Sequence, residues 1–432
     1  MPESTASGRA KRGRTRKCAS ATASASSRAA PKVGLALAGG GPLGGIYEVG
    51  ALLALADSLD GLDFNDLEAY VGVSSGSFVA AALANGISPA QMYRLFIEDG
   101  ADAALKPEIF LKPAFAEFGR CLAALPNLAA RATLQYLRDP FHRGVMESFA
   151  TLAQAIPTGV FDNGAIGAFL ARLFAAPGRT NDFRKLRRKL FLVATNLDTG
   201  NSVTFGPHQH ADVPISRAIQ ASSALPGLFP PVVIDGEHYV DGALNKTLHA
   251  SVALDEGIEL LICVNPLVPF DASSAVHRGH LTVDKLNKGG LPLVLGQAFR
   301  AIIHSRMHVG MEKYRSQYPD ANILLFEPDR EDADMFFANI FSYWQRKRLC
   351  AMAFAKTRQN VLARARAMAP VLRRHGIAIR YDRLADPRRD VRTALNDPRP
   401  LRPDSAHQNV RETKRELRHT LDHLERAVAT AR

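Results

Sequence analysis

Two short stretches constrain this chain more than any others: Val33-Gly-Leu-Ala-Leu-Ala-Gly-Gly-Gly-Pro-Leu-Gly-Gly45 and Gly72-Val-Ser-Ser-Gly76. The first is an apolar run, a glycine-rich turn and then a helical pattern from Ile46 to Leu59. The second repeats the layout: apolar Ala69 to Val73, a glycine-bounded serine, and a helical run from Phe78 to Asn85. Each is a strand–turn–helix unit whose turn is almost stripped of side chains. Glycine there lets the backbone take positive φ and approach a ligand closely. The N–H groups that open the following helix point outward, with the positive end of the helix dipole behind them.

Three chemistries compete for such turns. Gly39-x-Gly41-x-x-Gly44 has the dinucleotide-binding spacing, which expects an acidic residue at the end of the second strand. Asp57, Asp60 and Asp63 precede that strand, and it ends in Gly-Val-Ser-Ser-Gly instead. A phosphate-binding P-loop needs Gly-Lys-Ser/Thr, and Gly44-Gly45-Ile46 lacks the lysine. The third chemistry is an oxyanion cradle followed by a nucleophile elbow. G-x-S-x-G on a strand-to-helix turn lifts a serine Oγ above the sheet.

At 432 residues, with 47% apolar and 22% charged side chains, the chain can bury a large core as a globular protein. Cys18, Cys121, Cys263 and Cys350 form no C-x-x-C pair and read as thiols in a reducing compartment, so a cytoplasmic location is expected. No run of eighteen apolar residues suggests a transmembrane helix. The net charge of +12 is concentrated at the ends. Residues 1–32 hold eight Lys or Arg against Glu3, and residues 371–432 hold fifteen against nine acids, leaving the centre near neutral. Basic ends of this kind are either solvated or make peripheral contact with anionic membranes. Nucleic acid is not an expected partner, and nothing in the sequence fixes an oligomeric state.

In chain order, residues 1–32 read as a disordered basic tail without the apolar core of a signal peptide. Residues 33–270 read as an α/β core. Ser88-Pro89 is a helix start, and residues 103–155 form a greasy, proline-broken helical region, a candidate lid or membrane contact. Asn163 to Phe174 is helical, Leu190 to Thr195 and Ser202 to Phe205 are strands, and Ile215 to Ala224 is helical. Arg184 to Lys189 is a cationic cluster with the pattern of a solvated face. Val232 to Val240 reads as a hairpin turning at Asp235-Gly236, which delivers Asp241-Gly242-Ala243 onto a loop. Leu260 to Asn265 is a buried strand. Residues 271–385 read as a helical extension packed on the core, with a strand at Asn322 to Phe326. Residues 386–432 read as a Pro/Arg/Asp-rich linker and an amphipathic helix from Val410 to Ala431.

Four blocks then carry a resemblance: Gly39-Gly-Gly-Pro-Leu-Gly44, Gly72-Val-Ser-Ser-Gly76, Ser222-Ser-Ala-Leu-Pro with Phe229-Pro-Pro231, and Asp241-Gly242-Ala243. In this order and spacing the chain resembles the patatin-like phospholipases, lipid acyl hydrolases with a serine–aspartate dyad. The resemblance covers about residues 33–270. It implies a three-layer α/β/α fold with a central, mostly parallel sheet and added C-terminal helices. It implies Ser74 as nucleophile and Asp241 as base, with Gly39, Gly40, Gly41 and Gly44 as the oxyanion loop and Gly72, Gly76 and Gly242 supporting the turns. Gly40 and Gly41 are the expected donors, because Pro42 has no N–H. The implied substrate is a lipid or other acyl ester, with no metal or cofactor. The family usually carries arginine where this chain has Leu43.

The dyad is chemically coherent. A serine hydroxyl needs an adjacent base, and burial raises a carboxylate toward a useful basicity. Two other readings remain at this stage. His249, His277 and His280 follow Asp241 in the order of a Ser–Asp–His triad, and the basic ends fit an idle membrane scaffold. His304, His308 and Glu312 recur at helical spacing without the interior glutamate of a zinc-protease motif, and His208 and His210 flank a loop glutamine; no metal is expected at either place.

Overall fold

A computed structural model describes residues 32–98, 112–138, 155–271, 290–331 and 343–396. The order begins β1 (Val33–Leu37), α1 (Gly41–Ser58), β2 (Leu59–Asp60), β3 (Ala69–Val73), α2 (Ser75–Ala84), α3 (Pro89–Phe96), α4 (Phe115–Arg138) and α5 (Gly164–Phe174). It continues with β4 (Lys189–Asn196), β5 (Ser202–Phe205), α6 (Ile215–Ser222), β6 (Val232–Ile234), β7 (Glu237–Asp241), α7 (Ala250–Asp255) and β8 (Leu260–Val264). The chain then forms α8 (Gly290–Gln317), β9 (Asn322–Phe326), α9 (Tyr343–Arg374), β10 (Ala378–Ile379), α10 (Tyr381–Ala385) and α11 (Val391–Asn396).

The central sheet runs β6-β7-β4-β3-β1-β8-β9, with β5 also paired to β4. Strands β4, β3, β1, β8 and β9 are mutually parallel, while β5, β6 and β7 are antiparallel to their neighbours. The near-continuous apolar runs of β1, β3 and β8 follow from this position, because both faces of a covered parallel sheet are buried. Alternate residues serve opposite faces. Leu35, Leu37, Tyr70, Leu260 and Ile262 pack into the larger core, beneath α1, α2 and α9. Ala36, Val71, Leu261 and Cys263 pack into the smaller core, with Met307, Met311 and Tyr314 of α8. The result is the expected three-layer α/β/α arrangement around a mostly parallel sheet.

Local signals set several boundaries. Ser88 caps α3 through a reciprocal capping box with Gln91. Asp235 and Gly236 both take positive φ, 52° and 86°, as a tight hairpin turn of this hand requires. The cationic cluster is a paired surface: Arg184 meets Asp182, Arg187 and Arg188 both meet Asp66, and Lys189 meets Glu256.

Three stretches differ from the sequence reading. The described part of the proline-broken region is one helix, α4, which keeps Pro126 inside it. Proline gives up one backbone bond there, toward the carbonyl of Leu122, an exposed residue. The 271–385 stretch, expected to be helical with one strand, places that strand in the central sheet itself: β9 pairs in parallel with β8. The expected linker is packed at least to residue 396. β10 pairs with β2, the N–H of Arg380 donates to the carbonyl of Ser58, and Val391 is buried. The Asp57 carboxylate at the end of α1 is 2% exposed and accepts from Arg383 at 2.8 Å and Arg389 at 2.6 Å. Charge–charge pairing across more than three hundred residues of sequence is invisible to pattern reading. Residues 1–31 and 397–432, including the expected basic tail and terminal helix, lie outside the described residues.

Removing one member of a buried ion pair leaves the others desolvated and uncompensated, at a cost of about 3–5 kcal/mol. Asp57→Ala should therefore lower the urea midpoint by a corresponding amount, and Asp57→Asn by less. A loss under about 1 kcal/mol, the range of surface pairs, would show that the C-terminal segment is not held by this carboxylate.

Candidate active site

Ser74 is the single residue between β3 and α2. Its backbone sits at φ 52°, ψ −122°, which non-glycine residues seldom adopt and which costs on the order of 1–3 kcal/mol. Three hydrogen bonds hold it there. The Ser74 N–H donates to Ser222 Oγ at 2.9 Å, and the Ser222 hydroxyl donates to the Val193 carbonyl at 2.6 Å. The Ser74 carbonyl accepts from the Ser77 N–H at 3.0 Å and also from the Ser77 hydroxyl. Close packing fixes the two flanking glycines. A Cβ on Gly76 would lie 2.6 Å from the carbonyl oxygens of Leu37 and Ala38, and one on Gly72 would lie 2.5 Å from Ser77 Cα. No larger residue lets α2 fold back this tightly on β1 and β3.

Asp241 closes β7 and is 2% exposed. Its N–H donates to the Ala224 carbonyl at 3.0 Å, its own carbonyl accepts from Thr195 Oγ1 at 3.1 Å, and its carboxylate accepts from the Ala243 N–H at 2.9 Å. Gly242 follows against the Val193 carbonyl, where a side chain has no room. The Ser74 side chain lies close enough to this carboxylate to act on it. Burial pushes the Asp241 carboxyl up to about 6, against the smaller opposing effects of the Ser74 side chain and the Ala243 N–H.

The glycine loop lies beside this pair. A Cβ on Gly39 would lie 2.8 Å from Ser74 Cβ, and Gly40 and Gly41 line the same cavity as Ser74 and Asp241. Gly41 takes φ 61° as α1 begins, and Pro42 occupies the next position. The expected fourth member of the loop differs: the Gly44 N–H already donates to the Gly40 carbonyl at 3.0 Å, so Gly44 packs the loop against Pro266 and Ser75 rather than offering a donor. Leu43 is half-buried against the main core.

The cavity measures about 360 Å³. Its walls are mostly apolar, with Ile46, Val49, Phe78, Ile166, Leu225 and Phe299 among them. Its charged lining residues, among those described, are Asp241, Arg300 and Arg346; no histidine lines it. Outside the cavity mouth, three segments are laced together. The Ala114 N–H donates to the Val160 carbonyl at 3.0 Å, Phe161 N–H to Leu228 at 2.8 Å, and Gly227 N–H to Thr158 at 3.2 Å. They present Phe115 (77% exposed), Ile156, Val160 and Leu228 to solvent, and Leu228 also lines the cavity.

The stretch from 35 to 254, half of the chain, matches the model of the patatin-like phospholipase family. The chain belongs to that family. A relative from Acanthamoeba polyphaga mimivirus, described as uncharacterized protein R571, is 26% identical over 222 residues, covering 51% of this chain and 60% of that protein. Among solved structures, VipD from Legionella pneumophila is 15% identical, with 77% of this chain and 67% of that one covered and a TM-score of 0.35. A human GIVD cytosolic phospholipase A2 in complex with methyl gamma-linolenyl fluorophosphonate inhibitor and terbium chloride is also 15% identical, with 85% and 60% covered and a TM-score of 0.30.

Within this patatin-like chain, all four blocks read from the sequence fall inside the matched stretch, and the fold brings Ser74, Asp241, Gly39, Gly40 and Gly41 together. His249 lies near the Asp241 turn, its Nε2 3.5 Å from the Gly242 carbonyl, and burial drives its imidazole down to about 4. His277 and His280 fall outside the described residues. His304 and His308 touch through their Nε2 atoms at 3.0 Å, and His208 meets Glu256 at 3.1 Å. Among the described residues no three metal-ligating side chains converge. The sequence reading quoted Ser222 without a role; here its hydroxyl bridges the elbow to β4. Arg300 and Arg346 carried no sequence signal, because nothing local marks a helical arginine as facing a cavity.

The raised Asp241 carboxyl has a consequence for stability. A group held above its unfolded value contributes fully below that value and loses the contribution as pH rises through the folded one. The change from an ordinary carboxylate to about 6 corresponds to about 3 kcal/mol. Asp241→Asn, which keeps an acceptor for the Ala243 N–H, should be more stable than the parent at pH 8 by up to that amount. The advantage should shrink through pH 6 and vanish near pH 4 in thermal melts. An Asn variant that is less stable across the whole range would mean that the buried charge is well compensated.

Proposed function

We propose that this protein hydrolyses acyl esters of lipids, with Ser74 as nucleophile and Asp241 as general base. The observation that carries the reading is the placement of Ser74 beside the buried Asp241 carboxylate in an apolar cavity that Gly40 and Gly41 also line. Asp241 takes the Oγ proton as Oγ attacks the ester carbonyl carbon. The oxyanion that forms is held by the N–H groups of Gly40 and Gly41, at the positive end of α1, each donor contributing about 3 kcal/mol. Collapse breaks the ester bond, and the leaving alcohol departs with the proton held by Asp241. Water then attacks the acyl–Ser74 ester, giving its proton to Asp241, and the fatty acid leaves as Oγ is reprotonated. At neutral pH a carboxyl near 6 is mostly ionised and still basic enough to accept a proton.

A histidine-dependent triad receives less support. No histidine lines the cavity among the described residues, and His249 turns to the Gly242 carbonyl. Ser74→Ala should therefore lower kcat/KM toward a soluble p-nitrophenyl ester on the order of 10³-fold or more, with Asp241→Asn nearly as damaging. His249→Gln, His304→Gln and His308→Gln should retain most activity. Parent kcat/KM should rise with pH through about 6, as Asp241 loses its proton. Histidine substitution as costly as Asp241→Asn, in a folded variant, would revive the triad; full activity in Ser74→Ala, or no fluorophosphonate labelling of the parent, would remove the hydrolase reading.

Substrate delivery follows from the rim. Phe115, Ile156, Val160 and Leu228 form an exposed apolar edge on segments laced to the cavity wall, suited to dipping into a lipid surface. The basic ends of the chain add attraction to anionic head groups. Replacing Phe115 and Ile156 together by Ser should reduce co-sedimentation with phospholipid vesicles about fivefold or more, since interfacial binding scales with buried apolar area. Undiminished vesicle binding would assign membrane contact elsewhere, to the ends or to another face.

A further inference from the structure

Glu48 sits on α1 just beyond the glycine loop, fully buried, and neither of its carboxyl oxygens has a hydrogen-bond partner. Burying such a group is costly, because it gives up its bonds to water and gains none in return. A second orphan lies close by. The Oγ of Ser75, the residue that follows the nucleophile, is also shut off from solvent without a partner. Local geometry puts both groups on one side of α1. A helical side chain leans back over the preceding turn, so Glu48 covers Gly44 and Gly45. Those two glycines are also where Ser75 packs. A Cβ on Gly44 would lie 3.1 Å from Ser75 Oγ, and one on Gly45 would lie 3.6 Å from Ser75 Cβ. Gly45 and Ser75 line the cavity, whereas Glu48 lies behind that wall.

The two orphans stand between the halves of the site. Gly40 and Gly41 open α1, and Ser74 opens α2. Buried polar groups that face one another without bonding directly are what an internal water satisfies, and a hydroxyl and a carboxyl each supply it with a partner. Burial holds the Glu48 carboxyl well above the usual carboxylate range, so it is an uncharged acid at neutral pH. Burial acts on it alone. α2 and β1 carry no titratable side chain, and the buried ones of α3 and α9, namely Tyr93, Arg346, Cys350, Arg358 and His375, exert no charge effect on it. Arg383 and Arg389 gather on Asp57 at the far end of α1. An ionised Glu48 would set a negative charge against the positive helix end that Gly40 and Gly41 share.

We propose that Glu48 is a positioning residue: with Ser75, and one internal water between them, it ties the first turns of α1 and the Gly40 and Gly41 donors to the helix that begins at the nucleophile. The role rests on the hydrolase reading of Ser74. Glu48 touches no substrate and acts only through the loop and the elbow. The link holds while Glu48 keeps its proton. Loss of that proton at alkaline pH breaks the link and weakens the field that the oxyanion uses.

Infrared difference spectra and kinetics of the full chain decide the matter together. At neutral pH the parent should show a carboxylic-acid carbonyl band that Glu48→Gln lacks. Ser75→Ala should shift that band, because it removes the far partner of the water. Parent kcat toward a soluble p-nitrophenyl ester should fall on the alkaline side. Glu48→Gln should hold its plateau there, since an amide keeps a donor and an acceptor and does not ionise. Glu48→Met should lower kcat about tenfold with KM little changed, the scale of one lost hydrogen bond, and Ser75→Ala should act in the same direction. Glu48→Met should nonetheless melt higher than the parent. A carboxyl held above its unfolded value loses its stabilising contribution as pH rises through the folded one, so this gain should grow with pH. Parental kcat in Glu48→Met, an alkaline fall that survives in Glu48→Gln, or an acid band indifferent to Ser75→Ala would each overturn the proposal. The band comparison needs neither turnover nor the Met variant, so poor folding of Glu48→Met leaves the test standing. Absence of Ser74-dependent hydrolysis would remove the hydrolase reading and the positioning role with it, whereas an active enzyme indifferent to these substitutions loses only the role of Glu48.

Discussion

The site depends on a strained residue being held still. Ser74 occupies a backbone conformation it would not choose, and the Ser222 hydroxyl, bonded on one side to its N–H and on the other to the Val193 carbonyl, makes that conformation the available one. This bridge connects three elements: the elbow after β3, the end of α6 and strand β4. β4 in turn pairs with β7, which ends at Asp241. Ser74 and Asp241 are thus both tied to the same strand by hydrogen bonds, and their mutual geometry is a property of the sheet rather than of a loop. Rigid support of this kind allows a carboxylate to be buried beside a hydroxyl without collapsing toward a better-solvated position.

Burial sets the basicity of Asp241. The apolar walls that raise the Asp241 carboxyl also desolvate Arg300 and Arg346. One cavity therefore holds a carboxylate that is easier to protonate and two partly shielded guanidiniums, on separate elements: β7 for the first, α8 and α9 for the others.

The sequence showed the half of this arrangement that is local. Strand–turn–helix punctuation, glycine at both turns and the Asp-Gly hairpin are short-range consequences of backbone sterics, so the elbow at Ser74 and the loop of Gly39, Gly40 and Gly41 were legible as pattern, while Asp241 was implied by the family resemblance. Gly44 could not be sorted from its neighbours, because only the turn of α1 decides that its N–H bonds to Gly40. The Pro/Arg/Asp-rich segment after residue 386 looked like a linker by composition, yet Arg389 closes on Asp57 across the fold. Arg300 and Arg346 lie in helices with ordinary sequences, and which of their faces meets the cavity is set by packing on residues far away. Long-range pairing carries no local period, and that is where reading by pattern stopped.

The position of β9 has a consequence for how much of the chain makes a sound molecule. It covers the outer side of β8, and the matched stretch ends at 254, before either strand. A protein cut at residue 270 would keep Ser74 and Asp241 but leave β8 as a bare parallel edge, with a row of unmatched N–H and C=O groups flanked by apolar side chains. Such an edge recruits strands from other copies. The chain beyond the recognisable core therefore acts as a hem on the sheet: β9 takes the edge, and Arg364 of α9 donates to its Leu325 carbonyl at 2.7 Å.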